Sequence, residues 1–171
     1  MDALEKAVVK RVEAGSIAEE AGVQRGDVIA AVSGEPLLDI LDFKYRTADD
    51  TFTVEVHKKN GDIEELEICN DFYEQFGVEF ENPLIDQPRR CRNKCIFCFM
   101  DQLPPHVRPT MLFKDDDVRL SFLQGNYVTL TNLDEAELDR LTSMRVSPLN
   151  ISVHTTDPAL RCGASQRQHL S

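Results

Sequence analysis

Three cysteines lie within eight residues of this chain, in the segment Cys91-Arg-Asn-Lys-Cys95-Ile-Phe-Cys98. Side chains spaced this closely cannot diverge far, so we expect a loop whose thiols surround one metal centre. Basic residues flank the thiols, and they would stabilise thiolates and offset the negative charge of a metal–sulfur group. These residues are Arg89, Arg90, Arg92 and Lys94.

Two kinds of metal centre are compatible with three thiols in one loop. A structural zinc ion usually takes four protein ligands, whereas a 4Fe–4S cluster that keeps one iron open needs only three cysteines. The loop offers no obvious fourth ligand, which favours the cluster. Zinc completed by His106, Cys69 or Cys162 is the second interpretation, and chance clustering of cysteines in a reduced core is the third.

The charge of the chain argues against several classes of partner. Its 171 residues include 30 acidic and 19 basic side chains, a net charge of −11. This disfavours nucleic-acid binding, which needs a basic surface, and attachment to an anionic membrane. No apolar stretch approaches the roughly 20 residues of a membrane span, and residues 1–10 lack the features of a secretory signal. We therefore expect a cytoplasmic protein with reduced cysteines.

The acidic residues are concentrated in the first half of the chain. Residues 1–84 contain 20 acidic and 8 basic side chains, whereas residues 85–171 contain 10 and 11. The change falls near Asn82-Pro83, where proline disfavours continued regular pairing. We predict two domains, 1–84 and 85–171, joined by a short connection.

The first domain is predicted to be mostly β. One segment alternates strictly between apolar and polar residues, and Asn60-Gly61 after it is a typical hairpin turn. Ser16 is a candidate helix N-cap and Gly22 a candidate helix terminator. The predicted strands are Ala7–Val12, Val28–Val32, Thr51–His57 and Ile63–Ile68, and the predicted helices are Ile17–Ala21 and Leu37–Tyr45.

The segment Gly15–Gly34 (GSIAEEAGVQRGDVIAAVSG) resembles the core of the PDZ domains of bacterial proteases. The resemblance implies a PDZ-like domain over about the first 80 residues, with a peptide or protein partner that adds a strand to a sheet edge. In PDZ domains a glycine-containing loop holds the peptide carboxylate, and no such loop precedes the Ala7 strand. Phe76–Phe80 (FGVEF) would supply it in a permuted arrangement, or else forms an ordinary closing strand, which we favour.

The second domain is predicted to consist of βα units. Asn126–Thr131 and Leu149–His154 are apolar strand candidates, and the helix candidate Asp134–Leu141 lies between them. A helix between two strands argues for parallel pairing and a partial barrel, whose sites lie at the carboxyl ends of the strands. Candidates for lining a pocket at that end are Thr131, Asn132, His154 and Thr155.

Two polar segments near the cysteines are interpreted as structural. The acidic run Asp115–Asp117 is of a kind that is usually solvated, and successive side chains do not all face one ion. We therefore favour a structural or substrate-loop role for it over metal binding. His106 and Arg108 share a proline-rich segment that is predicted to be a rigid connector.

The C-x3-C-x2-C spacing, with the aromatic Phe97 before the last cysteine, is the signature of radical SAM enzymes. The chain resembles one bacterial subgroup of that family over Arg89–Arg161. In this subgroup a PDZ-like domain precedes the cluster domain, and a domain of unknown function follows it. The segments that carry the resemblance are Phe99–Leu103 (FMDQL), Lys114–Leu123 (KDDDVRLSFL), Gly125–Leu133 (GNYVTLTNL) and Ser147–Thr156 (SPLNISVHTT).

The resemblance implies a cofactor chemistry for the loop. Cys91, Cys95 and Cys98 would hold three irons of a 4Fe–4S cluster, and the fourth iron would bind S-adenosylmethionine. An electron from a donor such as flavodoxin or ferredoxin would then cleave S-adenosylmethionine to a 5′-deoxyadenosyl radical that abstracts hydrogen. The cofactors supply this chemistry, and the protein supplies their position and environment.

The same resemblance implies residues that contact S-adenosylmethionine. Phe97 would lie against the adenine, and Thr131, Asn132 and His154 would line the cofactor pocket. Many radical SAM enzymes hold the amino group with a Gly-Gly-Glu turn after the second strand. This chain has Thr131-Asn132-Leu133 at that place, so that contact is not carried over.

The length of the second domain suggests an incomplete barrel. A full barrel needs about six βα units, or roughly 200 residues, and only about 80 residues follow Cys91. Residues 161–171 (RCGASQRQHLS) depart from the pattern of the family, as in a truncated or frame-shifted chain or a disordered terminus. We expect the cluster motif to be present and the cofactor wall to be incomplete, which leaves turnover by this chain alone open.

Two functions follow from the sequence. The first is a radical SAM iron–sulfur oxidoreductase of unassigned substrate, represented by a PDZ-like domain and the start of a catalytic domain. The second is a peptide-binding adaptor whose cysteines hold structural zinc.

Overall fold

A computed structural model describes residues 7–167 of the chain. The chain divides into two units, Met1–Gln87 and Pro88–Ser171. The first unit contains a four-stranded antiparallel sheet of order β3-β2-β4-β5 and an antiparallel pair of β1 with β6. Its strands are β1 (Val9–Val12), β2 (Val28–Val32), β3 (Glu35–Pro36), β4 (Thr51–His57), β5 (Ile63–Cys69) and β6 (Val78–Phe80).

Strand β4 lies inside the sheet, paired with β2 on one side and with β5 on the other, and its alternating residues give it one apolar face. Phe52, Val54 and Val56 are buried on that face. β5 pairs with β4 along its whole length, from Thr51 opposite Cys69 to His57 opposite Ile63. The hairpin predicted from the alternation and the Asn60-Gly61 turn is confirmed.

The first helix, α1 (Ile17–Glu20), begins at a reciprocal cap. Ser16 Oγ accepts the N–H of Glu19 at 3.3 Å, and Glu19 Oε2 accepts the N–H of Gly15 at 2.7 Å. Two N–H groups that the helix leaves unpaired are thereby satisfied. The predicted N-cap at Ser16 is confirmed.

The second helix, α2 (Ile40–Arg46), begins three residues later than the predicted Leu37. Asp39 accepts the N–H of Leu41 at 2.8 Å and so caps the helix at its own position. Phe43 on this helix lies among other buried aromatic rings. Its ring centroid is 4.9 Å from that of Phe80 and 5.9 Å from that of Phe76, both in edge-to-face geometry.

Strand β6 closes the first unit against its first strand. Phe80 is paired with Val9 in antiparallel register. Gly77, which precedes β6, has φ of 85°, and a side chain at this position would collide with Ser16. The turn into β6 therefore requires glycine. The segment Phe76–Phe80 has the closing-strand pairing favoured from the sequence.

The second unit contains one parallel strand pair in its described residues. Tyr127 is opposite Asn150, and a helix lies between the two strands in sequence. The parallel pairing is as predicted, but each strand has two residues where six were predicted. The elements are β7 (Asn93–Cys95), α3 (Val118–Gln124), β8 (Tyr127–Val128), α4 (Glu135–Ser143), β9 (Asn150–Ile151), α5 (Pro158–Ala164) and β10 (Ser165–Arg167).

Helix α3 was not predicted from the sequence. The side chain of Asp117 accepts the N–H of Arg119 at 3.0 Å and caps the helix, and Gly125 ends it with φ of 78°.

α4 is the longest helix, with nine residues, and none of the helices in residues 7–167 has the length and apolar character of a membrane span. Of the predicted atypical tail 161–171, residues 168–171 lie outside the described range.

The aromatic cluster gives a prediction for the stability of the first unit. Phe43→Ala should lower the free energy of unfolding by about 3–5 kcal/mol, because it removes a ring that contacts two other buried rings. Urea denaturation followed by circular dichroism would measure this. Tyr45→Ala is the matched control, because Tyr45 lies on the same helix and is 52% exposed. Equal losses for the two variants would contradict the packing argument.

Candidate metal centre

The three cysteines lie on a loop whose backbone is paired at its start and in its middle. The N–H of Cys91 donates to the carbonyl of Lys114 at 2.8 Å. The middle of the loop is β7, which pairs antiparallel with β10. The N–H of Cys98 donates to the carbonyl of Cys95 at 3.1 Å, so that the chain turns directly after β7. All three thiols are free and half-buried.

Asn93, between the first two cysteines, ties the loop to the chain that follows β8. It is 4% exposed, and its Nδ2 donates to Thr131 Oγ1 at 2.8 Å and to Thr129 Oγ1 at 3.2 Å. Thr129 donates its backbone N–H to Asp116 Oδ1 at 2.6 Å and its hydroxyl to Asp116 Oδ2 at 2.8 Å. A buried carboxylate therefore holds the cysteine loop in place through hydrogen-bonded side chains.

The acidic run does not lie on a solvated surface. Asp116 is 3% exposed and Asp117 is fully buried. Asp117 accepts two hydrogen bonds from the guanidinium of Arg119, at 2.8 and 2.6 Å, and one from the backbone N–H of Arg89 at 2.9 Å. These contacts give the run a structural role, one of the two that the sequence analysis favoured over metal binding, but its last two carboxylates are buried and not solvated as expected.

Two opposing effects set the pKa of Asp117. Burial alone would raise it, because a charged carboxylate loses its hydration. The hydrogen bonds from Arg119 and from the N–H of Arg89, together with the charge of Arg119, outweigh burial and hold the pKa of Asp117 below its ordinary value. The carboxylate is therefore charged and fully paired at neutral pH.

An ion pair lies next to the last cysteine. Lys114 Nζ is 2.5 Å from Asp101 Oδ1. The hydrogen bond to Lys114 lowers the pKa of Asp101, and a hydrogen bond with the Cys98 side chain contributes to this shift. The same ion pair raises the pKa of Lys114, with smaller contributions from Cys98 and Cys91. Lys114 is therefore protonated and paired with Asp101 at neutral pH.

Cys91 is the thiol most affected by its surroundings. Burial raises its pKa, and the charges of Asp116, Cys95 and Cys98 raise it further. A hydrogen bond from the backbone N–H of Asn93 acts in the opposite direction. Because the thiolate is the form that binds metal, deprotonating Cys91 without a metal is unfavourable at neutral pH.

The residues expected to contact a nucleotide cofactor fall into two groups. The rings of Phe97 and His154 are 4.4 Å apart between centroids, in edge-to-face geometry, and both are exposed. Thr131 accepts a hydrogen bond from Asn93, and Asn132 Nδ2 donates to the carbonyl of Arg90 at 2.9 Å. The first group includes Phe97, which belongs to the cysteine segment. In the second group, Thr131 is bonded to a residue of that segment, and Asn132 is bonded to the residue just before it.

The described residues do not assemble a complete metal site. Between residues 7 and 167, no group of three or more His, Cys, Asp or Glu side chains is arranged to hold a metal ion. Strand pairing of β7 keeps the middle of the loop extended, and successive side chains of an extended strand point to opposite faces. Cys69 and Cys162, the predicted alternative zinc ligands, are exposed free thiols.

A cavity of about 660 Å³ opens beside Cys91. Its wall includes Asn93, Asn132 and the basic residues Arg92 and Lys114. The Oδ1 atoms of Asn93 and Asn132 are buried and accept no hydrogen bond from the described residues. Such oxygens are costly unless a donor reaches them.

Sequence reasoning missed Asn93 as a site residue. The signal available was its position, a small amide between two cysteines in an otherwise basic segment. Its importance depends on Thr129 and Asp116, which lie more than 20 positions away in sequence, and a local pattern does not show such a contact.

Comparison with known families gives two matches. A family model described as a Radical SAM-like domain matches residues 70–170. A model of the PDZ domain matches residues 8–56. The comparison with curated proteins returns no match. The two families and their order along the chain are those expected from the sequence.

The buried acidic pair gives a prediction for the second unit. Asp117→Asn should destabilise this unit by about 3–5 kcal/mol, because it removes the negative charge that accepts two buried hydrogen bonds from the guanidinium of Arg119. Since the folded-state pKa of Asp117 is lowered, its stabilisation is complete above about pH 4 and is lost as the pH falls further. Hydrogen exchange of the α3 amides in urea would measure both effects. Asp139→Asn, at an exposed position on α4, is the control and should change little.

The raised pKa of Cys91 gives a second prediction. In metal-free folded protein, alkylation of Cys91 by iodoacetamide should reach half its maximal rate at a pH above the roughly 8.5 of an ordinary thiol, because the thiolate is the reactive form. Mass spectrometry at a series of pH values would give the midpoint. The urea-unfolded chain is the control, and the same midpoint in both states would contradict the prediction.

Proposed function

Because the chain belongs to the radical SAM-like family, we propose that its cysteine loop binds a 4Fe–4S cluster and S-adenosylmethionine and that it acts as an oxidoreductase. The observation that carries the proposal is the position of the three free thiols. They lie on one loop, inside the matched region, beside a cavity lined by Asn93 and Asn132.

The donor set fits the cluster in its chemistry. Three cysteines without disulfide partners, on a loop with several basic residues, suit a cluster that keeps one iron for a further ligand. The extended pairing of β7 does not by itself gather the three thiols. We propose that iron binding draws them together, and that the anchoring of Asn93 limits this movement to the loop.

The residues around the loop fit S-adenosylmethionine. The carbonyl oxygens of Asn93 and Asn132 would accept hydrogen bonds from its ammonium group, in place of the Gly-Gly-Glu turn that this chain lacks. The exposed rings of Phe97 and His154 would pack against the adenine. When bound, the two cofactors supply a one-electron reductive cleavage of a carbon–sulfur bond, and the protein orients them and limits water.

Three further features belong to the same proposal. The parallel pair β8–β9 with α4 would be the first part of a βα barrel. The PDZ domain would bind a peptide or protein at the outer edge of β6, because β1 pairs with its inner edge. A cytoplasmic flavodoxin or ferredoxin would supply the electron.

Anaerobic reconstitution with iron and sulfide tests the proposal. We expect about four irons and four sulfides per chain and absorbance near 400 nm, as for clusters ligated by cysteine. Cys91→Ala, Cys95→Ala and Cys98→Ala should each lose most of the iron. After reduction with dithionite, the loaded protein should convert S-adenosylmethionine to 5′-deoxyadenosine, which chromatography detects.

The other two cysteines provide the matched control. Cys69→Ala and Cys162→Ala remove exposed thiols outside the loop, and these variants should retain the full iron content. A colourless protein that holds one zinc ion per chain and no sulfide would overturn the proposal and favour the adaptor function.

A further inference from the structure

Lys114 is connected to both ends of the cysteine loop. Its backbone carbonyl accepts the N–H of Cys91 at 2.8 Å. Its ammonium group lies 2.5 Å from Asp101 Oδ1. Asp101 is joined to the last cysteine, because its backbone N–H donates to the carbonyl of Cys98 at 3.1 Å. One residue thus links the first and the last thiol of the loop.

The charge of Lys114 is well placed to act on these thiols. Its side chain is 25% exposed, so solvent screens its charge only in part. Two neighbouring guanidinium groups have other contacts, because Arg89 pairs with Glu137 and Arg90 lies over the ring of Phe113, and Arg92 is exposed. Cys91 is hydrogen-bonded to the backbone of Lys114, and Cys98 is hydrogen-bonded to its ion-pair partner Asp101, so the charge of Lys114 lies close to both cysteines.

We propose that Lys114 is the positioning residue of the cysteine centre, which holds Cys91 and Cys98 together and stabilises the reduced state of the cluster with its positive charge. This proposal rests on the function proposed above. In the reduction step the cluster gains one electron from an external reductant. Lys114 keeps its proton and its charge throughout, and it forms no bond to iron.

Redox titration of the reconstituted protein, followed by electron paramagnetic resonance, tests the effect of the charge. Lys114→Met should make the cluster harder to reduce. At a fixed potential the ratio of reduced to oxidised cluster should fall about tenfold, which corresponds to about 59 mV for a one-electron couple. Lys114→Arg keeps the charge, so its ratio of reduced to oxidised cluster should be close to that of the wild-type protein. Arg108→Met removes one positive charge from an exposed position in the same unit and should leave it unchanged.

A second measurement tests the positioning without any metal. In a Cys95→Ser background, a short bifunctional thiol reagent should link Cys91 to Cys98. Lys114→Met should slow this reaction several-fold, because the link to Asp101 is lost. Asp101→Asn should slow it in the same direction, and Arg108→Met should not change it.

The two experiments separate failure of the proposal from failure of the proposed function. If the wild-type protein takes up no iron, the proposed function fails, and the cross-linking rates alone decide the role of Lys114. If the protein loads iron and Lys114→Met leaves both the redox ratio and the cross-linking rate unchanged, the proposal for Lys114 is overturned while the proposed function stands.

Discussion

The second unit depends on two neighbouring carboxylates that lie out of contact with water. Asp117 pairs with Arg119, caps α3 and holds the backbone at Arg89. Asp116 fixes Thr129 at the end of β8. Burying charge is favourable only when every lone pair finds a donor, so the helix, the strand and the segment before the cysteines are bound to one another. The cysteine loop takes its place from this arrangement and not from an apolar core of its own.

The sequence predicted the first unit better than the second, for a physical reason. The strands Val28–Val32 and Thr51–His57 were predicted with their observed bounds. The first is an apolar run between two turns, and the second alternates because one of its faces is buried. In the second unit, apolar runs predicted strands of six residues, whereas β8 ends at Val128. Directly after it, Thr129 donates to Asp116 and accepts from Asn93 instead of continuing the strand. Helix α3 was missed because its cap is part of an acidic run that resembles a solvated surface.

In the candidate site, too, local sequence motifs predicted some features, whereas contacts between distant residues determine the others. The spacing of the cysteines, and the aromatic residue before the last of them, identified the loop and the family. Phe97 and His154 lie 57 positions apart in sequence, and their rings are in contact. The anchoring of Asn93 and the link from Lys114 to Asp101 join segments far apart in sequence, and no spacing rule predicts them. The cysteines were therefore predicted from the sequence, whereas the residues that position them are found only in the tertiary structure.

The pairing of β6 with β1 has a consequence for how the first unit is made. Arg11 and Glu79, which face each other across this pair, are 68 positions apart in sequence. Contacts between such distant residues form late, because closing the long loop between them costs conformational entropy before the contact can stabilise the fold. During synthesis on the ribosome the hairpin of β4 and β5 can form early, whereas β1 has to wait for the last strand of the domain to emerge. Until β6 has emerged, the edge of β1 that it covers is open to pairing with other chains.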